Sequence, residues 1–266
     1  GGVGAKASAA RDEDFIEYVH QANMHSTMMF FTEQGRLYWT KVYELPEGNR
    51  QSKGRALQNM INIQKGDKVC AFIHVKNLSD MEYVQNHYLI FATKNGLMKK
   101  TTLEAYSRPR ANGIIALGLR EDDRLIRVTL TDGNSQMLVA SYNGKVVRFP
   151  EDTVRPMGRT ATGVRAIKLD EDGQDRVVGM ICVEDGSKES VLVISEKGFG
   201  KRTDLDDENG EPIYRITNRG GKGVKTMNLT DKTGNLIGLE AVTDEQDLML
   251  ITKSGTAIRM AMDTIR

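Results

Sequence analysis

The chain has 266 residues, of which 39% are hydrophobic and 27% charged, with a formal net charge of +1. That length holds one or two globular domains with a core, and the near-neutral balance, taken alone, excludes a uniformly basic nucleic-acid binder. No apolar run approaches the ~20 residues of a membrane span and the start lacks a signal-peptide core, so a soluble intracellular protein with no membrane partner is expected.

Residues 1–14 are small and polar, and Phe15-Ile16-Glu17-Tyr18-Val19 opens a strand. Asp14 follows Gly4 at the same interval as Asp123 follows Gly113, so 1–27 reads as the second half of a repeat. At 28–87 the pattern becomes explicit. The apolar run Met28-Met29-Phe30-Phe31 leads into a turn at Gly35, Trp39 stands four places on, and a second glycine turn follows at Arg50-Gln51-Ser52-Lys53-Gly54 with Arg55 after it. Leu57 to Ile63 can hide a helical turn, and Asp67-Lys68-Val69 opens a further strand.

The same order returns at 88–136: Leu89-Ile90-Phe91-Ala92, Gly96, Lys99-Lys100, the turn Arg108 to Gly113, then Asp123-Arg124-Leu125. At 137–190 it reads Met137 to Ala140, Gly144, Arg148, the turn Arg159 to Gly163, and Asp175-Arg176-Val177. At 191–246 it reads Val191 to Ile194, Gly198, Lys201-Arg202, the turn Arg219 to Gly223, and Asn235-Leu236-Ile237. Residues 247–266 give only a first half, with Gly255 and Arg259, so a piece of a longer chain is expected. A period of roughly 50 residues with several short strands per unit is the mark of a repeated sheet module, most naturally propeller-like. Alternating or four-long apolar runs and frequent glycine exclude long helices, and the fold class is all-β.

Cys70 and Cys182 stand without CxxC or histidine neighbours, which predicts buried apolar fillers and neither a disulfide nor a metal site. The acidic insertion 204–211 lacks the spacing of a calcium loop and reads as a solvated loop. No P-loop, nucleophile elbow or HExxH occurs, so no catalysis, metal or cofactor is expected within the chain.

Four of the five positions four places after the hairpin glycines carry a cation: Lys100, Arg148, Arg202 and Arg259, with Trp39 the exception. Arg155 to Lys168 and Arg215 to Lys225 each hold four cations and no acid, while acids gather at 121–123, 170–172, 184–185 and 244–245. Lysines and arginines on outer strands can simply keep a sheet soluble. Their recurrence beside glycine turns predicts instead a row of phosphate clamps around a perimeter. Bending a duplex of about 20 to 30 bp through about 40 to 90° costs on the order of 1 to 6 kcal/mol, so a row of contacts suits a long polyanion. Without a recognition helix, binding is governed by shape and charge.

The motifs Lys94 to Lys100, Gly144 to Phe149, Gly158 to Arg165, Gly198 to Thr203 and Lys41 to Pro46 make the whole chain resemble the C-terminal domain of the DNA gyrase A subunit. The resemblance implies a six-bladed β-pinwheel, a single domain over 1–266 with incomplete blades at the chain ends, in which blades exchange strands and a basic rim wraps double-stranded DNA. It implies a cytoplasmic, nucleoid-associated bacterial protein, monomeric as an isolated fragment, that works with the gyrase B subunit, and with the rest of its own subunit, in ATP-dependent negative supercoiling. ATP and Mg²⁺ act elsewhere in such an enzyme. The family's box, Gln-Arg-Arg-Gly-Gly-Lys-Gly, is matched in its tail by Gly1-Gly2-Val3-Gly4, with Val3 where Lys is usual. The box remnant favours gyrase over topoisomerase IV.

The expected phosphate contacts are Arg50, Lys53, Arg55, Lys99, Lys100, Arg108, Arg110, Lys145, Arg148, Arg159, Arg165, Lys201, Arg202, Arg219, Lys222 and Arg259. Two other readings compete. A propeller scaffold for proteins requires exposed aromatic anchors, for which Tyr38, Trp39 and Tyr214 are the candidates. A channel enzyme requires polar residues facing the axis, where the first-half strands offer mostly aliphatics.

Overall fold

A computed structural model describes residues 23–42, 62–184 and 186–243, together with the backbone of 247–251 and 257–261. The all-β expectation holds. In chain order the strands are β1 (Thr27–Thr32), β2 (Arg36–Lys41), β3 (Val69–Val75), β4 (Tyr88–Thr93), β5 (Leu97–Thr102), β6 (Ile114–Ile115), β7 (Leu125–Thr131), β8 (Ser135–Ser141) and β9 (Lys145–Pro150). They continue as β10 (Val164–Arg165), β11 (Val177–Glu184), β12 (Ser190–Ser195), β13 (Gly200–Asp204), β14 (Val224–Lys225), β15 (Leu236–Val242), β16 (Asp247–Ile251) and β17 (Ala257–Ala261). A five-residue helix, α1 (Met81–Gln85), is capped by the Asp80 carboxylate, which accepts from the Tyr83 amide at 3.2 Å. Most of the helical turn suggested at Leu57 to Ile63 lies outside the described residues.

Four hairpins, β1–β2, β4–β5, β8–β9 and β12–β13, turn at Gly35, Gly96, Gly144 and Gly198. Their φ values of 86°, 94°, 91° and 86° are ones a side chain resists, which is why glycine recurs there. Each first strand also pairs antiparallel with a third strand of its own repeat: β3 on β1, β7 on β4, β11 on β8 and β15 on β12. The fourth strand is borrowed. β6, β10 and β14 each leave their own repeat to pair with the second strand of the preceding blade, at Ile115↔Arg36, Arg165↔Leu97 and Lys225↔Lys145. The blades therefore read β3-β1-β2-β6, β7-β4-β5-β10, β11-β8-β9-β14 and β15-β12-β13.

Glycine makes the loan possible. A Cβ on Gly113 or Gly223 would lie 2.7 or 2.5 Å from the carbonyl oxygen of Leu37 or Val146, and one on Gly163 would press closer still on Met98. The loaned segment then hydrogen-bonds the hairpin glycine of its host, Ala116 N to Gly35 O at 2.7 Å, Ala166 N to Gly96 O at 2.7 Å and Thr226 N to Gly144 O at 2.9 Å. The acids that open the third strands have a local task. Asp67, Asp123 and Asp175 each accept from a hairpin-turn amide, that of Gln34, Asn95 or Asn143, at 3.1, 2.9 and 3.0 Å.

Both faces of a blade are covered, so its first strand is a continuous apolar run. Leu89 and Phe91 pack with Phe31 and Leu37 of the preceding blade, while Ile90 and Ala92 pack with Met137 and Val139 of the next. Leu138 and Ala140 in turn meet Val191 and Val193. Third strands of successive blades adjoin one another and form a hub, which puts the loaned strands at the rim. Across the hub Arg127 of β7 passes β11 to reach Glu240 of β15 at 2.8 Å. Gly179 of β11 leaves room for β15, since a Cβ there would lie 2.8 Å from that of Leu239. The axis is thus lined by third strands, correcting the expectation that first-half strands face it. The half-repeat at 1–27, and with it the sixth blade of the expected count, falls almost wholly outside the described residues.

Gly163→Ala should lower the melting temperature by several degrees, because it strains a φ of 106° and drives a methyl into the Met98 carbonyl. Gly158→Ala, with nothing within 4 Å of the added Cβ, should leave it unchanged in the same calorimetric scan.

Candidate nucleic-acid interface

The rim is built from the loaned strands and the glycine turns that precede them. Arg108, Arg110, Arg165, Lys201 and Lys222 are exposed there, and Lys145, Arg159, Arg202 and Arg219 are half-buried. The turns are locked to one another blade by blade. Arg159 donates through Nη1 to the Ile115 carbonyl, and Arg219 makes the equivalent bond to the Arg165 carbonyl one blade on. Arg36, which sequence reasoning passed over, donates from Nη2 to the Asn112 carbonyl at 3.0 Å. A guanidinium has five N–H donors, so a bond to one carbonyl orients the fork and leaves donors for an anion.

Two open grooves lie on this rim. One of about 410 Å³ is lined by Thr102, Glu104, Ala105, Arg108, Arg110, Ile114 and Arg159. The other, of about 470 Å³, is lined by residues 217–223 and Arg215. Arg215 and Lys225 are further rim cations, beyond the contacts expected from the sequence. Lys225 was legible, since it stands two places after Gly223 as Arg165 does after Gly163.

Three expected phosphate contacts are corrected. Lys99, Lys100 and Arg148 are 0%, 4% and 5% exposed, and each has internal partners. Lys100 pairs with the buried Glu151 at 3.4 Å and lies over the Tyr88 ring. Glu151 is further held by Ser135, whose amide and hydroxyl donate at 3.1 and 2.5 Å. Arg148 donates to the carbonyls of Leu205 and Tyr214 at 3.1 and 3.3 Å and approaches Asp206 at 3.5 Å. Trp39, at the same repeat position as Lys100 and Arg148, donates from Nε1 to the Tyr106 carbonyl at 3.0 Å. These three side chains all reach into the following repeat. The recurrent position therefore calls for a long hydrogen-bond donor that pegs one blade to the next, which is why an uncharged indole serves in the first blade.

The acidic insertion takes part in that peg. Leu205 and Asp206 cover Arg148, while Asp207 folds a turn by accepting from the amides of Asn209 and Glu211, both at 2.9 Å. The aromatic anchors of the scaffold reading are also interior, with Tyr38 and Tyr214 buried and Trp39 half-buried. Cys70 and Cys182 are half-buried free thiols, and burial pushes that of Cys182 well up. Among the described residues no group of three metal-ligating side chains occurs, and no helix is long and apolar enough to cross a membrane. Arg50, Lys53, Arg55, Gly1, Gly2, Val3 and Gly4 lie outside the described residues, as does the side chain of Arg259.

A hub of third strands, loaned rim strands and cation-bearing glycine turns define a strand-exchanging β-propeller with a basic outer edge. A family profile described as "DNA gyrase C-terminal domain, beta-propeller" matches residues 26–76, 87–132, 136–184, 189–243 and 246–266. The chain belongs to that family. It is 42% identical over 260 residues to the DNA gyrase A subunit of Staphylococcus aureus strains NCTC 8325 / PS 47 and COL, covering 98% of this chain and 28% of each relative. It thus spans about a quarter of the length of those curated relatives. A solved C-terminal domain of DNA topoisomerase IV superposes with a TM-score of 0.77 at 25% identity, covering 92% of this chain and 72% of that one. A DNA gyrase A C-terminal domain superposes at 0.70 and 22% identity, covering 91% and 74%.

Lys99 sits where three segments meet, donating to Tyr106 Oη at 3.1 Å, to the Ala116 carbonyl at 2.6 Å and to the Arg159 carbonyl. Burial first, and then the Arg159 charge, lower its pKa from 10.5 to about 7. Between those two values the unfolded chain keeps a proton that the folded chain has released, so stability rises with pH through this window and is flat below it. Urea midpoints from about pH 7 to about pH 9 should show that rise, and Lys99→Met should flatten it.

Proposed function

We propose that this domain binds duplex DNA along its rim, without regard to sequence, and curves it around the blades. The observation that carries the reading is the return of solvent-facing cations at one structural position, the glycine turn and loaned strand, in consecutive blades. Phosphates of a duplex following that edge meet a clamp per blade, and each neutralised phosphate releases counterions. Among the described residues nothing at the rim presents a helix to a groove, so shape and charge govern the contact.

In the longer protein this activity would serve ATP-dependent negative supercoiling by a cytoplasmic DNA gyrase, with the B subunit and the remainder of the A subunit as partners. The 42% identity to gyrase A subunits supports that assignment. The superposition on a topoisomerase IV domain supports a second reading, in which the duplex is bound and little wrapped. Religating nicked circular DNA on the domain separates the two. Wrapping leaves a linking-number change of constant sign that grows with protein, and binding without wrapping leaves none.

Arg110, Arg159 and Arg165 changed together to Glu should weaken duplex binding and flatten the slope of log affinity against log salt by about 2 to 3. Arg148→Met should leave that slope untouched while lowering stability by about 1 to 3 kcal/mol, through the stranded carbonyls of Leu205 and Tyr214. An unchanged slope in the triple variant, read by anisotropy, would place the duplex elsewhere.

A further inference from the structure

The two rim grooves are not equivalent. The groove in the second repeat contains the carboxylate of Glu104 beside its arginines. The groove at 215–223 is lined by Arg215, Arg219 and Lys222 with no acid. Arg215 and Lys222 are exposed, and among the described residues their side chains enter no ion pair or hydrogen bond. The loop carrying them is nonetheless fixed on both sides. Gly220 N donates to the Ala166 carbonyl and Lys168 N to the Gly221 carbonyl, both at 2.9 Å, and the Arg219 guanidinium is tied to the Arg165 carbonyl. Within that frame the amides of Gly221 and Lys222 donate to no acceptor among the described residues.

Rigid glycine backbone with unspent amides, ringed by uncompensated cations, is the chemistry of a phosphate cradle. It differs from scattered surface lysines because the loop's conformational entropy has already been lost to its contacts with the neighbouring turn. Lys225 and its register partner Lys145 continue the positive surface along the same edge. The sequence marks the loop too: Gly220-Gly221-Lys222-Gly223 stands at the repeat position occupied at the start of the chain by Gly1-Gly2-Val3-Gly4, with the cation retained here and replaced by valine there.

We infer that the turn at 215–223 is the anchoring phosphate site of the rim, where a duplex is gripped first and most tightly, and that the turn in the second repeat acts only as a guide. This rests on the DNA-binding reading above and adds to it an order among the clamps. The ligand is a backbone phosphate of duplex DNA. Free phosphate shares the chemistry but cannot also engage the cations further along the edge.

The test uses the whole 266-residue chain and a duplex short enough to touch one or two blades. The pair Arg215→Gln and Lys222→Gln should weaken it about tenfold, equivalent to about 1.4 kcal/mol, and Arg108→Gln with Arg110→Gln about threefold or less. At substoichiometric duplex, the amide resonances of Gly221 and Lys222 should shift before those of the turn at 108–113, which also shows that the loop is folded. Equal losses from the two pairs, or simultaneous shifts at the two turns, overturn the anchor. So does inorganic phosphate that matches the duplex in affinity at equal ionic strength. Absence of duplex binding by the unaltered chain would instead remove the DNA-binding reading itself.

Discussion

A blade of this protein is completed by a strand that belongs to the next repeat, and the rest of the architecture follows from that loan. The donor must cross to its host close enough for glycine alone to fit, as at Gly163 against Met98. It must also leave its own third strand free to return to the hub. Each repeat is thereby bonded to its predecessor at three heights: rim strand, hairpin carbonyl and the start of the third strand, as where Val177 N meets the Lys94 carbonyl at 2.9 Å. Stability in such a ring is a chain of nearest-neighbour terms, with no blade able to satisfy its own edge.

The same two residue types perform opposite tasks a few positions apart. Lys100 and Arg148 are withdrawn from water, and desolvation of that kind is offset only by close partners, which Glu151 and the Leu205 and Tyr214 carbonyls provide. Arg165 and Lys222 face solvent. What separates the two groups is the strand parity of β5 and β9 against the open geometry of the turn, since alternate residues of a blade strand point into one neighbouring blade or the other.

Much of this was legible in the chain. The apolar runs, the hairpin glycines and the period gave the repeat, and continuous runs such as Leu89 to Ala92 reflect coverage of both blade faces. The error at Lys99, Lys100 and Arg148 has a physical origin: recurrence of charge marks a structural demand as readily as a functional one, and a donor pegged to a carbonyl looks, in one dimension, like a phosphate contact. Trp39 at the matching position was the available clue, because an indole shares with lysine and arginine the ability to donate and lacks their charge. Arg36 escaped notice because it sits one place after its hairpin glycine, where the other repeats carry Leu97, Lys145 and Phe199. The hub pair of Arg127 and Glu240 escaped because its partners are two blades apart.

That pair has a mechanical meaning. Arg127 and Glu240 hold β7 and β15 together over the intervening β11, so tilting the middle blade out of plane stretches a 2.8 Å contact near the axis while barely moving the turns at the circumference. The molecule is braced like a spoked wheel at its nave, and its tread is left to yield to whatever it carries.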